Sequence, residues 1–341
     1  MNNCHSGIDL HSNNNVTGVV DQEGKVLFLR RMPNDLSTVI KVLEPYREQL
    51  QGIVVESTFN WYWLVDGLED AGFKVILANP AAMKQYEGLK FTDDKSDAVW
   101  LANSLRLGLL EHAQGYIYPR DQRQIRDMLR KRVQLVQQRT AHILSIQNLT
   151  ARNTGGQIKS DTIKHLNDAD IYHMFPEVHL AMPAIANLHV IQVLSHEVDI
   201  LQKEIYKEAR EYEGLSLLMS VSGIGQIIGL TILLETGDIN RFADVGNYAS
   251  YCRCVESKRT SNNKVKGRGN RKCGNRYLAW CYAEAAHFAT SYNPLIMQYF
   301  QRKQAKRQKA VAYKAVSHKL ARACYWILKT GKPFEVERAF S

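Results

Sequence analysis

Apolar residues change their rhythm along the chain, and each change predicts a different kind of element. In the first eighty residues the runs are short. Ser6-Gly-Ile-Asp-Leu-His, Asn15–Asp21 and Lys25–Arg31 read as strands, the last two joined by a Gln22-Glu-Gly-Lys turn. Leu36, Val39, Ile40, Leu43 and Tyr46 recur at helical spacing over Leu36–Leu50. Gly52-Ile-Val-Val-Glu-Ser is a buried-type strand ending in Glu56, Asn60–Ala71 is helical, and Phe73–Ala78 is a further buried strand. Pro80 is placed to open the next helix.

From Pro119 onward the helical period dominates. The segment from Arg120 to about Thr150 has a seam of Ile125, Leu129, Val133, Val136, Ile143 and Ile146. The segment from about Ala184 to Tyr212 has Leu188, Ile191, Leu194, Val198, Leu201 and Ile205. Such spacing predicts a coiled-coil seam, used either between molecules or domains, or in an intramolecular antiparallel hairpin. Leu217–Glu235 reads as two apolar helices around Gly223-Ile-Gly225, a helix-hairpin-helix whose glycines let backbone N–H groups approach a phosphate. Phe242–Tyr251 is helical, Cys252–Asn275 is a polar loop, and Tyr277–Ala289 and Tyr299–Leu328 are helices. The front third therefore has three antiparallel strands followed by helix, strand, helix, strand, helix. That layout is the α/β RNase H-like (RuvC-like) one. The expected division is residues 1–118 for this domain, 119–213 for an α-helical coiled-coil domain and 214–341 for a mainly α C-terminal domain.

Charge sharpens this division. The net value is +10, but residues 251–341 hold 20 Lys and Arg against 4 Asp and Glu, leaving 24 against 30 in the preceding 250. An acidic front joined to a strongly basic back suggests metal chemistry beside a surface for a polyanion, and nucleic acid is the obvious one. The apolar runs are too short to cross a bilayer and the first residues lack a signal-peptide layout, so a cytoplasmic, nucleoid-associated protein with reduced cysteines is expected. The Cys252, Cys254 and Cys273 spacing fits no common zinc module.

The acids give the chemistry. Asp94 and Asp97 stand three apart at a helix start, with Asp93 before them as a cap. In the RNase H-like layout the strands carrying Asp9 and Glu56 are neighbours, so all four acids point to one place. Four converging carboxylates call for divalent cations, the arrangement that clamps a phosphoryl transfer. In the basic back, the loop around Ser257, Thr260 and Ser261 offers hydroxyls in a positive field, which stabilises an alkoxide and a pentavalent phosphorus. Lys258, Arg259, Lys264, Lys266, Arg268, Arg271, Lys272 and Arg276 surround these hydroxyls, and Arg123, Arg126 and Arg130 lie on the expected outer face of the first long helix. With Gly223 and Gly225, these are the candidate nucleic-acid contacts.

Several segments in order carry a resemblance: Gly7-Ile-Asp9, Val55-Glu56-Ser57, Thr92-Asp-Asp94-Lys-Ser-Asp97-Ala98, Ser222-Gly-Ile-Gly225, Gly237-Asp-Ile with Arg241-Phe242, and Ser261-Asn-Asn-Lys264 leading to Lys272-Cys-Gly-Asn275-Arg-Tyr-Leu. The chain resembles the transposases of the IS110 group of insertion sequences, particularly the IS1111 branch. The resemblance implies a four-acid RuvC-like domain, matched by Asp9, Glu56, Asp94 and Asp97 with Mg²⁺, and a C-terminal transposase domain with a nucleophilic serine. Ser261 is the best match to that serine and Ser257 the rival. Relatives often follow the serine with Gly-Gly or Asn-Gly, whereas Asn262-Asn263 stands here. The resemblance further implies donor and target DNA, an element-encoded guide (bridge) RNA and a tetramer as partners. The alternatives are a hydrolytic junction nuclease, in which Ser261 only contacts phosphate, and a non-catalytic nucleic-acid-binding protein.

Overall fold

The computed structural model of the chain describes residues 3–80, 82–83, 93–111, 113–256, 258–262, 264–268 and 273–340, with the backbone alone at 258–261 and 268. Two compact units divide it, residues 1–117 and 118–341.

In the first unit, β1 (Cys4–Leu10), β2 (Asn14–Val20) and β3 (Val26–Pro33) are followed by α1 (Leu36–Leu43), β4 (Leu50–Glu56), α2 (Tyr62–Asp70), β5 (Val75–Ala78) and α3 (Asp94–Arg106). The sheet order is β3-β2-β1-β4-β5. The first three strands are antiparallel, while β4 runs parallel to β1 and to β5. This is the order expected of an RNase H-like start. One expected helix is shorter: α1 ends at Leu43 and the chain continues as a 3-10 turn over Glu44–Gln49. Pro45 is the cause, because its ring removes a donor and disfavours the α conformation before it. At Pro80 the backbone makes a turn, with the Ala82 N–H donating to the Asn79 carbonyl at 3.0 Å. Most of the helix expected there lies outside the described residues.

The Ile53-Val54-Val55 run is continuous because β4 is covered on both faces. Ile53 and Val55 pack with Ile8, Leu10, Leu64 and Leu68, and Val54 packs with Ala78 and Leu101. On the second face α3 lies directly over β1 and β2. Gly7 and Gly18 stand opposite each other there, and a Cβ added to Gly7 would come within 2.2 Å of the Ala98 carbonyl oxygen. The absent side chain is what lets the helix rest on the sheet.

The second unit holds α4 (Arg120–Thr154), α5 (Ser160–Lys164), α6 (Asp168–Met174), α7 (Val178–Glu208), α8 (Leu215–Met219), α9 (Gln226–Thr236), α10 (Val245–Tyr251), the hairpin of β6 (Lys258–Ser261) and β7 (Lys264–Arg268), α11 (Arg276–Tyr292), α12 (Pro294–Gln304), α13 (Lys309–Thr330) and α14 (Val336–Phe340). The helix α7 begins six residues before the expected start and carries Pro183 inside it. It runs antiparallel to α4: Arg132 Nη2 donates to Gln202 at 2.6 Å, Arg139 Nη1 to Ser195 at 3.2 Å, and His142 Nδ1 lies 2.7 Å from Asn187 Oδ1. The buried seam positions Leu188, Ile191, Val198 and Ile205 are therefore used within the chain. By length and composition α7 could also cross a membrane, but an apolar seam packed on a partner helix passes the same test.

A buried carboxylate joins three helices of this unit. Glu235, at the end of α9, is 1 % exposed. Its carboxylate accepts from Arg126 Nη2 at 3.2 Å, from Arg130 Nε at 2.5 Å and Nη2 at 2.9 Å, and from Asn275 Nδ2 at 2.6 Å. Asn275 also caps α11, its Oδ1 accepting from the Tyr277 and Leu278 N–H groups. Tyr118 closes the group, donating to the Glu235 carbonyl at 2.9 Å beneath the Arg126 guanidinium, which lies 3.6 Å from its ring centroid. The expected outer basic face of α4 is corrected here. Arg123 and Arg126 are buried, at 5 % and 6 % exposure, and Arg130 is committed to Glu235. The periodicity that reads them as a solvated stripe misses Glu235 across the helix interface, which pairs with Arg126 and Arg130, and the Tyr118 carbonyl, which accepts from Arg123 Nε at 2.7 Å.

Burial pushes the Glu235 carboxyl up, but the Arg130 hydrogen bonds, the charges of Arg126 and Arg130, and the Asn275 amide outweigh it and hold the group below its ordinary value. Removing the acid leaves two guanidinium groups buried without it, so Glu235→Ala is expected to cost about 3–5 kcal/mol in denaturant unfolding. A carboxyl with a depressed folded pKa contributes stability present above its unfolded pKa and lost as pH falls through the folded value. Wild-type stability should therefore drop below about pH 4.3, and part of that drop should be missing in Glu235→Gln.

Candidate active site

Asp9, next to last in β1, and Glu56, last in β4, lie at the same end of two adjacent parallel strands. Ile8 on β1 pairs with Val55 on β4, so the next residues, Asp9 and Glu56, sit side by side. Asp9 is 4 % exposed and Glu56 is partly buried. Both carboxyls are held above their ordinary values, and a hydrogen bond between them favours the proton on Glu56 over Asp9. Burial pushes the Asp9 carboxyl up and Asp94 adds to this, while His11, the bond from Glu56 and Arg31 oppose it. Glu56 is raised to about 7, first by burial, then by the charge of Asp9 and the shared hydrogen bond, with Asp97 contributing.

The first turn of α3 supplies the other two acids. Asp93 is its N-cap, with the side chain accepting from the Ser96 N–H at 2.8 Å, so Asp93 has the capping position expected of it. Asp94 and Asp97 follow in the first turn. The field of Asp94 reaches Asp9 and that of Asp97 reaches Glu56. The structure thus brings all four acids into one electrostatic cluster, and the Gly7 contact sets its dimensions by fixing how close α3 comes.

Two residues that the sequence reading passed over stand among them. His11 Nε2 is 3.1 Å from Asp9 Oδ2 and 3.3 Å from Asp94 Oδ2. Arg31 pairs with Asp94 Oδ2 and donates to Asn14 Oδ1 at 2.9 Å. Arg31 lies opposite Val16, which lies opposite Asp9, so one rung across three strands carries both ends of this group. Strand alternation could have found His11, since residues two apart share a face. Arg31 needed the register.

The donor set fits a divalent cation. Asp9, His11 and Asp94 each offer a ligand atom, all within 4.8 Å of one another. Asp9 Oδ2 and His11 Nε2 are buried and make no aligned hydrogen bond, although they are within reach of each other. Buried polar atoms left in that state are costly unless a further charge engages them. Hard carboxylate oxygens suit a hard ion.

The serine loop belongs to the second unit, and its structure differs from the expected irregular loop. Residues 258–268 form a hairpin in which Ser261 pairs with Lys264, placing Ser261 as the last strand residue before the tip. A two-residue tip demands left-handed backbone. Asn262 supplies it, at φ 53°, and asparagine is among the few non-glycine residues enriched there. Asn262 thus takes the left-handed backbone that a glycine would give, while Asn263, the position that differs from both Gly-Gly and Asn-Gly, lies outside the described residues. Lys264, Lys266 and Arg276 are exposed. Lys258, Arg259 and Arg268 are placed by backbone in the strands, while Ser257, Arg271 and Lys272 lie outside the described residues. The stems of the loop are tied together: Arg253 Nε donates to the Cys273 carbonyl at 2.9 Å, and the Asn275 N–H to the Tyr251 carbonyl at 2.6 Å.

Gly223 has a packing role that the sequence reading did not assign. It has φ 91°, and a Cβ there would lie 2.5 Å from the Ala285 carbonyl oxygen and from the Ala289 nitrogen of α11. Gly225 caps α9 with open space around it. The helix before the turn, α8, is only five residues long.

A mixed sheet of RNase H-like order with acids gathered near the ends of two parallel strands, followed by a mostly helical unit with a basic hairpin, is the arrangement that comparisons with known proteins assign to a class. A family model described as the DEDD transposase of IS110 matches residues 6–151, and a second, described as transposase of the IS116/IS110/IS902 family, matches residues 215–301. Together they span more than half of the chain, which belongs to the IS110 family of transposases. Among curated proteins it is similar to the transposase for insertion sequence element IS1111A of Coxiella burnetii, 24 % identical over 76 % of this chain and 70 % of that one. It is also similar to the mini-circle transposase for IS117 of Streptomyces coelicolor, 23 % identical over 98 % of this chain and 96 % of the relative.

The dependence of the acid cluster on the bare backbone at Gly7 can be measured. Gly7→Ala is expected to lift α3, lowering stability by about 1–3 kcal/mol and shrinking the rise in melting temperature that a divalent cation gives the wild type. Gly18→Ala, whose added Cβ would meet its nearest neighbours at an ordinary 3.5 Å, is expected to keep the cation response.

Proposed function

We propose that this transposase excises and inserts its element by serine-based strand exchange assisted by divalent cations. The convergence of Asp9, Glu56, Asp94 and Asp97, with buried Asp9 and His11 atoms left without hydrogen-bond partners, carries the reading. Ser261 Oγ attacks a backbone phosphorus, the P–O3′ bond breaks, and a phosphoserine and a free 3′ hydroxyl result. A second 3′ hydroxyl then attacks the phosphoserine, returning the serine and rejoining the strand. Bond energy is conserved, so no nucleotide cofactor is needed. Asp9, Glu56, Asp94 and Asp97 would hold the cation, Mg²⁺ in this reading, which supplies charge stabilisation at phosphorus and favours the alkoxide. Lys264, Lys266 and Arg276, all exposed, contact phosphates of donor and target DNA. The resemblance to IS110 transposases supports an element-encoded guide RNA as the carrier of target sequence, and a tetramer as the assembly. The helix-hairpin-helix reading around Gly223 and Gly225 is kept for Gly225 alone, at the open start of α9.

The test is covalent trapping. On denaturing gels with element-end DNA, its guide RNA and Mg²⁺, the wild type is expected to give a protein–DNA adduct, and Ser261→Ala none. Asp9→Asn should reduce adduct formation by about 10²-fold or more. Cleavage without an adduct, retained in Ser261→Ala, would point to the hydrolytic nuclease; full activity in Asp9→Asn would remove the metal chemistry.

A further inference from the structure

We propose that His11 is a nitrogen ligand in the cation site of the acid cluster, and that it biases the site toward Mn²⁺ and other transition ions over Mg²⁺. The inference rests on the reading of Asp9 and the acids around it as a metal centre, and adds to it a residue outside the four-acid set. His11 follows β1 directly, two residues after Asp9, so both side chains leave the strand toward the same side. Its backbone is held at three points. The carbonyl accepts from Asn34 Nδ2 at 3.0 Å and from Asn60 Nδ2 at 2.9 Å, and the N–H donates to the Asn14 carbonyl at 2.9 Å. A ring carried on so fixed a backbone is pre-organised rather than incidental.

The distances favour a ligand over a simple ion pair. An imidazolium paired with Asp9 would aim its N–H along one oxygen, yet Nε2 and Asp9 Oδ2 stand 3.1 Å apart with neither making an aligned hydrogen bond. Adjacent ligands of an octahedral ion at about 2.1 Å stand about 3 Å apart, the separation that a right angle at the metal gives. The 3.1 Å from Nε2 to Asp9 and the 3.3 Å to Asp94 both match that edge. Arg31 pairs with the same Asp94 oxygen, so positive charge already belongs to the arrangement. Ligand type then sets preference. Carboxylate oxygens serve Mg²⁺ and Mn²⁺ alike, but imidazole nitrogen suits transition ions and is a poor partner for Mg²⁺.

The experiment uses full-length protein stripped with a chelator and loaded with substoichiometric Mn²⁺, read by pulsed electron paramagnetic resonance and by calorimetric titration with Mn²⁺ and Mg²⁺. The wild type is expected to show the ¹⁴N coupling of a directly bound imidazole and to bind Mn²⁺ more tightly than Mg²⁺. In His11→Gln the coupling should vanish, with Mn²⁺ affinity falling on the order of tenfold and Mg²⁺ affinity changing less. His11 is partly exposed and the substitution leaves its backbone bonds in place, so a folded variant is expected, and the wild-type spectrum decides the point in any case. Bound Mn²⁺ without nitrogen coupling overturns the proposal while leaving the acid site standing, provided that Asp9→Asn abolishes binding. Coupling that persists in His11→Gln comes from another of the chain's 11 histidines and overturns it equally. Mn²⁺ binding that Asp9→Asn leaves unchanged removes the metal centre itself, and the proposal with it.

Discussion

The second unit is built around one buried charge. Taking a carboxylate out of water costs several kcal/mol, and Glu235 is tolerated only because Arg126, Arg130 and Asn275 converge on it. Those three partners come from α4 and from the cap of α11, while Glu235 itself ends α9. The helices are thereby fixed to one another at a point where apolar packing alone would allow sliding. The same asparagine closes the stem of the hairpin that bears Ser261. Charge burial and the placing of the candidate nucleophile's loop are thus one arrangement.

The first unit depends on a missing side chain instead. Where β1 and β2 meet α3, Gly7 offers bare backbone and the helix offers Ala98 and Ala102. Close approach carries Asp94 and Asp97 to Asp9 and Glu56, and the crowding of like charge has a visible consequence. Glu56 is raised to about 7, by burial first and then by the charge of Asp9 and the hydrogen bond with it. Crowding of like charge of this kind is relieved when an opposite charge lies among the carboxylates.

Much of this was legible in the order of residues. Strand and helix succession gave the sheet order, because alternation and continuous β-branched runs separate half-buried from fully buried strands, as at Ile53-Val54-Val55. Asp93 read as a cap and is one. The readings that failed did so for different reasons. Cations on a helix usually face solvent, but Arg126 turns inward to the distant Glu235 and Arg123 to the Tyr118 carbonyl. The loop of residues 252–275 contains a hairpin because Asn262 accepts a left-handed backbone, a local preference hidden by polar composition. Pro45 cut short a helix whose apolar period ran past it.

By itself the sequence determined most of the elements and the strand order of the first sheet and marked four acids as candidates, because these follow from periodicity, caps and the short-range geometry of strands. The identity of the partners across space was decided only by tertiary structure. His11 joins Asp9 and Asp94 through the end of one strand and the start of a distant helix, and Glu235 meets Arg126 and Arg130 more than a hundred residues away. Such pairings have no period to betray them. They are chosen by which polar groups remain uncompensated once the apolar faces have closed, and that is known only when the fold is complete.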